Sequence, residues 1–213
     1  MKKYKIIYAD PAWKYNDKRV SITSDRPERY GGISYDVMDI EELSKLPIKE
    51  IADDNCTLFM WVTMPLLQDC FKVIEAWGFE YRTCGFVWVK KTDSGKFRSG
   101  LGSYTNCNAE LCLIAIKGKC LERINKDVKQ IIYAPVIGHS RKPTEVYTRI
   151  EQLYGNVPRI ELFARERRQG WDVWGNEAPN HTQAVLSDSR LIAINRDSAE
   201  SPNLKSTKIL NFG

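Results

Sequence analysis

Within the run Asp10-Pro11-Ala12-Trp13 stand an acid, a proline carbonyl and an aromatic ring. That set suits one chemistry especially well, activation of the exocyclic amine of adenine. The amine is a poor nucleophile because its lone pair is delocalised into the ring. Asp10 and the Pro11 carbonyl, both accepting its N–H hydrogens, would pull the nitrogen towards tetrahedral geometry and stabilise its developing positive charge. Trp13 offers a face on which an extruded base can stack. No metal is needed. Asp-Pro is also a common turn, and an acid after a strand often caps a helix. The motif therefore needs company.

The elements that must position it are legible. Tyr4 to Ala9 is an apolar, β-prone run, so Asp10 falls at the carboxyl end of a buried strand, the edge where open α/β sheets bind ligands. Residues 14 to 39 are polar and carry Gly31-Gly32, which predicts a long loop. Ile40 to Leu46 predicts a short helix ended by Pro47, and Cys56 to Val62 a second buried strand. A helix follows, with Pro65 near its first turn, Gly78 past its end, and Leu66, Leu67, Cys70, Phe71, Ile74 and Trp77 on one face. Phe79 to Lys90 and Leu111 to Ile116 predict strands around a Gly/Ser/Lys-rich loop at 91 to 104. Ile131 to Tyr133 is a short apolar run. Pro143 opens a helix with Val146, Ile150 and Leu153 inward, ending at Gly155, and Arg159 to Phe163 is the last clear strand. Strands alternating with helices point to an α/β fold with a mostly parallel sheet of Rossmann type.

The chain's 213 residues fit one domain with a tail, and 43% hydrophobic content supports a sizeable core. No apolar run approaches the roughly 20 residues of a membrane span. The N-terminus lacks the apolar region of a signal peptide, which points to the cytoplasm. Six cysteines form no C-x-x-C pair, and the only histidines are His139 and His181, so no zinc pattern is present and reduced core thiols are expected. The net charge of +5 is modest, but the cations cluster. Lys14, Lys18, Arg19, Arg26 and Arg29 follow the first motif; Lys90, Lys91, Lys96 and Arg98 lie around the second loop; Arg165, Arg167 and Arg168 form a third group. These are either solvated loops or a phosphate-binding rim around a common cleft. On the second reading, Lys18, Arg19, Arg26, Arg29, Lys96 and Arg98 grip a nucleic-acid backbone, with Tyr15, Tyr30, Tyr35 or Tyr104 available to stack.

Taken in order, further motifs accompany Asp10-Pro11-Ala12-Trp13. They are Leu58-Phe59-Met60-Trp61-Val62-Thr63, Trp77-Gly78-Phe79, Trp88-Val89-Lys90, and Glu110 before a strand. His139-Ser140-Arg141-Lys142-Pro143, Arg159 to Arg165 and Trp174-Gly175-Asn176-Glu177 complete the set. From about residue 4 to residue 177 the chain resembles the adenine-N6 methyltransferase family that includes the catalytic subunit of the eukaryotic messenger-RNA enzyme and small bacterial and phage members. The resemblance implies a methyltransferase domain over residues 1–177, with 178–213 a C-terminal tail or peripheral addition. It also implies S-adenosylmethionine as cofactor, a Rossmann-like fold with permuted motif order, and a nucleic-acid substrate, DNA ahead of RNA. By position, Asp10 and Pro11 would hold the target amine and Trp13 would pack against the base. Asp10, Lys142, Glu161, Phe163, Arg165, Asn176 and Glu177 would line the cofactor site, Lys142 towards the cofactor carboxylate and Glu161 towards the ribose.

The residues themselves agree with that assignment. Lys142 precedes Pro143 and is held extended at a helix start. Glu161 lies between Ile160 and Leu162, where a carboxylate is costly to bury without donors. Two departures stand out. Ala12 replaces the family's usual second proline, which loosens the backbone around Pro11. Glu177 stands where some relatives carry glutamine. An RNA adenosine methyltransferase and a catalytically inactive nucleic-acid-binding subunit are the alternatives, and pairing as a homodimer or heterodimer is a separate expectation.

Overall fold

The computed structural model describes residues 2–14, 37–98, 100, 104–137 and 141–175. Lys18, Arg19, Arg26, Arg29, Tyr15, Tyr30, Tyr35, Asn176, Glu177 and the 178–213 segment lie outside the described residues.

Seven strands form one sheet in the order β5-β3-β4-β2-β1-β6-β7. They are β1 (Tyr4–Ala9), β2 (Ala52–Val62), β3 (Glu80–Lys91), β4 (Ala109–Lys117), β5 (Ile131–Pro135), β6 (Arg159–Leu162) and β7 (Asp172–Trp174). Every pairing is parallel except those of β4, which runs against both β2 and β3. The expected α/β, mostly parallel sheet is therefore present. Helices α1 (Ile40–Lys45), α2 (Ile48–Ile51), α3 (Leu67–Ala76) and α4 (Glu145–Tyr154) fill the connections.

Local chemistry explains the boundaries. Asp39 accepts from the Glu42 N–H at 2.9 Å while the Glu42 carboxylate accepts from the Asp39 N–H at 2.7 Å, a reciprocal cap that starts α1. A 3-10 turn at Met64–Leu66, with Pro65 inside it, leads into α3, and Gly78 leaves that helix with φ +81°. Helix α4 ends at Gly155, as its spacing predicts.

The two faces of the sheet bury separate cores. Ile7, Leu58, Met60 and Val62 meet Leu43, Ile51, Val73, Ile74 and Trp77 from α1–α3. Ile6, Tyr8, Phe59, Trp61 and Trp88 meet Val146, Ile150 and Leu153 from α4. A buried indole needs an acceptor, and the fully buried tryptophans have one: Trp61 donates to the Tyr8 hydroxyl, Trp77 to the Leu43 carbonyl and Trp88 to the Ala134 carbonyl. Cys56, Cys70 and Cys112 are buried thiols, as expected, but Cys107 and Cys120 are exposed.

Several elements differ from the sequence reading. β2 begins at Ala52, four residues early, because α2 delivers the chain directly into the sheet. The strand β7 is too short to carry a periodicity, yet it pairs with β6 and closes that edge. β3 and β4 form an antiparallel hairpin, which apolar runs alone do not distinguish from a crossover.

Since β1 sits between β2, which follows α1 and α2, and β6, which follows α4 on the opposite face, the connections reverse direction there. Asp10 thus lies at the topological switch point, outside the carboxyl end of β1.

Candidate active site

The cleft at that switch point is open to solvent. Its lining includes Tyr8 from β1 and Asp10 just beyond it, Lys142 and Tyr147 around the start of α4, and Glu161 and Phe163 at the end of β6. Arg165, Glu166 and Arg168 follow from the β6–β7 connection. Four of the residues expected around a cofactor, Lys142, Glu161, Phe163 and Arg165, therefore share one cleft with Asp10.

At its centre the Lys142 ammonium lies 2.7 Å from both carboxylate oxygens of Asp10. It also lies 3.3 Å from Glu110 on β4, whose other oxygen accepts from Lys90. The Lys142 side chain is 8% exposed and that of Asp10 24%, so the acid is the member of the pair that solvent or a substrate reaches. Burial works against the charge on Lys142, but Asp10 and Glu110 outweigh it and hold the ammonium above its usual range. Burial pushes the Asp10 carboxyl upward, with Lys142 opposing. At Glu110 burial also pushes upward, but Lys142 and Lys90 outweigh it and hold the carboxyl low.

Deeper along β6, Glu161 accepts a hydrogen bond from the Tyr147 hydroxyl at 2.8 Å. Burial pushes its carboxyl up to about 7, against that hydrogen bond and the nearby Arg168. Arg168 stacks over the Tyr147 ring at 3.8 Å, and the same ring packs edge-on against Tyr8 and Trp171. The partner of Glu161 is thus a tyrosine on α4.

Phe163, directly after β6, has φ +62°, the one non-glycine in the left-handed region among the described residues. Such a conformation costs energy and persists where its surroundings enforce it. Here the Ala164 N–H donates to the Trp174 carbonyl at 3.0 Å, and the Phe163 ring packs on Trp174. Gly175 completes the clamp: a Cβ there would meet the Ala164 carbonyl oxygen at 2.4 Å. This close approach leads the chain from β7 towards Asn176 and Glu177.

The Pro11 carbonyl accepts the Trp13 backbone N–H at 2.9 Å and keeps a second lone pair. Met38 holds the other side of the motif, donating to the Ala12 carbonyl at 2.8 Å. A correction concerns Trp13. Its ring is 7% exposed, lies in the core, and donates its indole N–H to the Trp61 carbonyl at 3.0 Å. The face expected to stack on a base is committed to packing, and the residue anchors the Asp10 turn on β2. Lys96 and Arg98 are exposed on the β3–β4 turn, outside the cleft lining.

Sequence reasoning assigned no role to Tyr147, quoted Glu110 only as an acid before a strand, and placed Arg168 only in a cluster of cations. A faint signal existed for Tyr147, which neighbours the inward Val146 at the start of α4. For Glu110 it was an acid beginning a strand after a Lys-ended one.

The fold and cleft together define a Rossmann-like α/β architecture with its polar centre at the switch point. The chain belongs to the MT-A70 family, which residues 4–177 match. It is similar to the Type II methyltransferase M.MunI of Mycoplasma sp, with 35% identity over 206 residues, 89% of this chain and 86% of that one. It is also similar to the METTL3 catalytic subunit of the Homo sapiens N(6)-adenosine-methyltransferase, with 32% identity over 183 residues, 82% of this chain and 28% of that protein. The N(6)-adenine-specific methyltransferase METTL4 of Mus musculus matches at 32% identity over 192 residues, 83% of this chain and 38% of its own length. The chain thus spans less than two fifths of either mammalian relative. No helix among the described residues is long and apolar enough to cross a membrane.

Proposed function

We propose that this chain transfers a methyl group from S-adenosylmethionine to the N6 amine of adenine in nucleic acid, with DNA ahead of RNA. Membership of the MT-A70 family supports the reaction class. The convergence of Asp10 and Lys142 from opposite ends of the domain, beside Glu161, is the observation that carries it. DNA stands first because the relative matched over nearly its whole length is named a Type II methyltransferase, whereas the match to the adenosine enzyme covers 28% of that protein.

S-adenosylmethionine supplies, when bound, an electrophilic methyl group on a sulfonium. The residues fit it. Glu161 is a half-buried carboxylate whose one hydrogen-bond donor among the described residues is Tyr147, which leaves lone pairs for ribose hydroxyls. Lys142 and Asp10 offer one charge of each sign towards an amino-acid carboxylate and ammonium. Phe163 and Arg165 complete that side of the cleft, with Asn176 and Glu177 following Gly175 in the chain.

Asp10 and the Pro11 carbonyl accept the two amine hydrogens. Lys142 keeps Asp10 ionised before the reaction, so an acceptor waits where positive charge develops. As the nitrogen gains the methyl group it must lose a proton. Burial makes Asp10 a better proton holder than an exposed aspartate, and it sits closest to take it. Trp13, bonded to Trp61, keeps this turn from relaxing where Ala12 replaces a proline.

The test incubates the pure protein with methyl-labelled S-adenosylmethionine and adenine-containing DNA or RNA oligomers. Label should appear at adenine N6, faster in DNA. The Asp10→Ala variant should lose roughly 100- to 1000-fold in rate, the usual cost of one preorganised acceptor, with donor affinity largely kept. Near-normal transfer by that variant would sink the mechanism.

A further inference from the structure

Outside the cleft, one cluster of exposed side chains combines rings and cations. Phe97 is 63% exposed and Tyr133 55% exposed, large values for aromatic residues. Their ring centroids lie 6.4 Å apart, and the Lys91 ammonium sits over both, 5.7 Å from Phe97 and 4.9 Å from Tyr133. The backbone fixes this arrangement. Lys91 bridges to Phe97 across the start of the hairpin turn, and it lies in register with Pro135 on β5, two residues beyond Tyr133. Lys96 and Arg98 flank Phe97 on the exposed turn.

The cluster stands at the same end of the sheet as Asp10, because β3 and β5 run parallel to each other and in the same sense as β1. Lys90, next to Lys91, belongs to the polar chain that runs through Glu110 to Lys142. Four strand spacings separate β1 from β5, about 19 Å.

We propose that Phe97 and Tyr133 form a stacking platform for unpaired bases flanking the adenine in the cleft, with Lys91, Lys96 and Arg98 contacting the phosphates. Exposed rings interleaved with cations are the recurrent solution for single-stranded nucleic acid, since every base has a π-face and every linkage a negative charge. Charge favours this occupant over a second protein surface. Residues 90–98 carry four cations and one acid, Asp93, so a protein covering them would have to supply acids. The platform also takes over the stacking that buried Trp13 does not offer. Its direction towards the cleft rests on the function proposed above; its binding does not.

Two double variants test it, Phe97→Ala with Tyr133→Ala and Phe97→Leu with Tyr133→Leu. The probe is a series of single-stranded DNA oligomers with one adenine and 2-aminopurine at successive neighbouring positions. On wild type, 2-aminopurine fluorescence should be quenched at one or more of these positions. Both variants should bind about 5- to 100-fold more weakly by anisotropy. The leucine pair, apolar but without π-faces, should also lose the quenching. S-adenosylmethionine affinity and methylation of an adenine trinucleotide, too short to reach β5, should stay unchanged. Wild-type affinity and quenching in both variants would overturn the platform. So would a wild-type dimer by sedimentation that the variants split while oligomer affinity holds, which would make the patch a protein interface. If wild type methylates no adenine but the binding results stand, the adenine reading fails and the platform survives.

Discussion

Lys142 reaches Asp10 across 132 positions of sequence and sets its ammonium 2.7 Å from both oxygens of that carboxylate. The pair ties the loop before α4 to the end of β1. A buried cation between two acids, Asp10 and Glu110, is stable only as a set, because removing one member leaves charges without compensation.

Replacing Lys142 with methionine should therefore show in the pH profile before anything else. Lys142 lowers the Asp10 carboxyl against the upward push of burial. Without it, Asp10 holds its proton to higher pH, so the acid limb of the pH–rate curve should move upward. The variant should also lose about 3–5 kcal/mol of stability near pH 8, less in acid as Asp10 and Glu110 protonate. Chemical denaturation at both pH values and rates across the range are the measurements. An unmoved acid limb would show that Asp10 ionisation does not gate the reaction.

Glu161 predicts two opposite slopes. Its folded carboxyl titrates near 7, above the ordinary value of 4.5, so between those values the folded chain holds a proton that the unfolded chain has lost. Its contribution is fully present below about pH 4.5 and is lost as pH rises through about 7. Relative to wild type, Glu161→Gln should gain melting temperature as pH rises across that window. Ribose hydroxyls, in contrast, bond more strongly to the ionised carboxylate, so S-adenosylmethionine affinity should rise through pH 7 in wild type and stay flat in the variant. Calorimetry at pH 5.5, 7 and 8.5 separates the two effects.

The fold was largely legible in the sequence because its signals are local. The apolar, β-prone runs of β1, β2 and β6, and the Pro-to-Gly bracket of α4, need no tertiary information. The coming together of Asp10, Lys142 and Glu161 was legible only through motif order, since nothing in their spacing says that positions 10, 142 and 161 meet. Tyr147 escaped, and Glu110 was noted without its link to Lys142, because a charged or aromatic residue at an element's end looks alike whether it faces water or a cleft. Trp13 misled for the opposite reason. An aromatic beside an acid suggests a ligand contact, and the backbone carbonyl that captures its indole lies 48 residues away in the chain.

Gly175 offers a test by size alone. A Cβ there would sit 2.4 Å and 2.6 Å from backbone atoms of Ala164, which cannot swing aside as a side chain would. Gly175→Ala should cost about 1–3 kcal/mol in overpacking. It should also weaken S-adenosylmethionine binding, because relief of the clash moves Phe163 off its left-handed backbone. Unchanged donor affinity in a destabilised variant would confine the clamp to folding.

The reversal of β4 has a consequence for how such a chain diversifies. The other neighbouring strands that follow one another in the chain, β1 with β2 and β6 with β7, run parallel, so each connection must return along the sheet to the starting edge. β3 and β4 are joined at their tips, so the segment between them closes on itself. Doubling such a loop costs only about 0.6 kcal/mol in closure entropy, and hairpin tips tolerate insertion well. On the reading proposed here, the part that holds the polymer can be lengthened or exchanged while Asp10, Lys142 and Glu161 keep their places. Address and chemistry then become separately heritable, on one sheet.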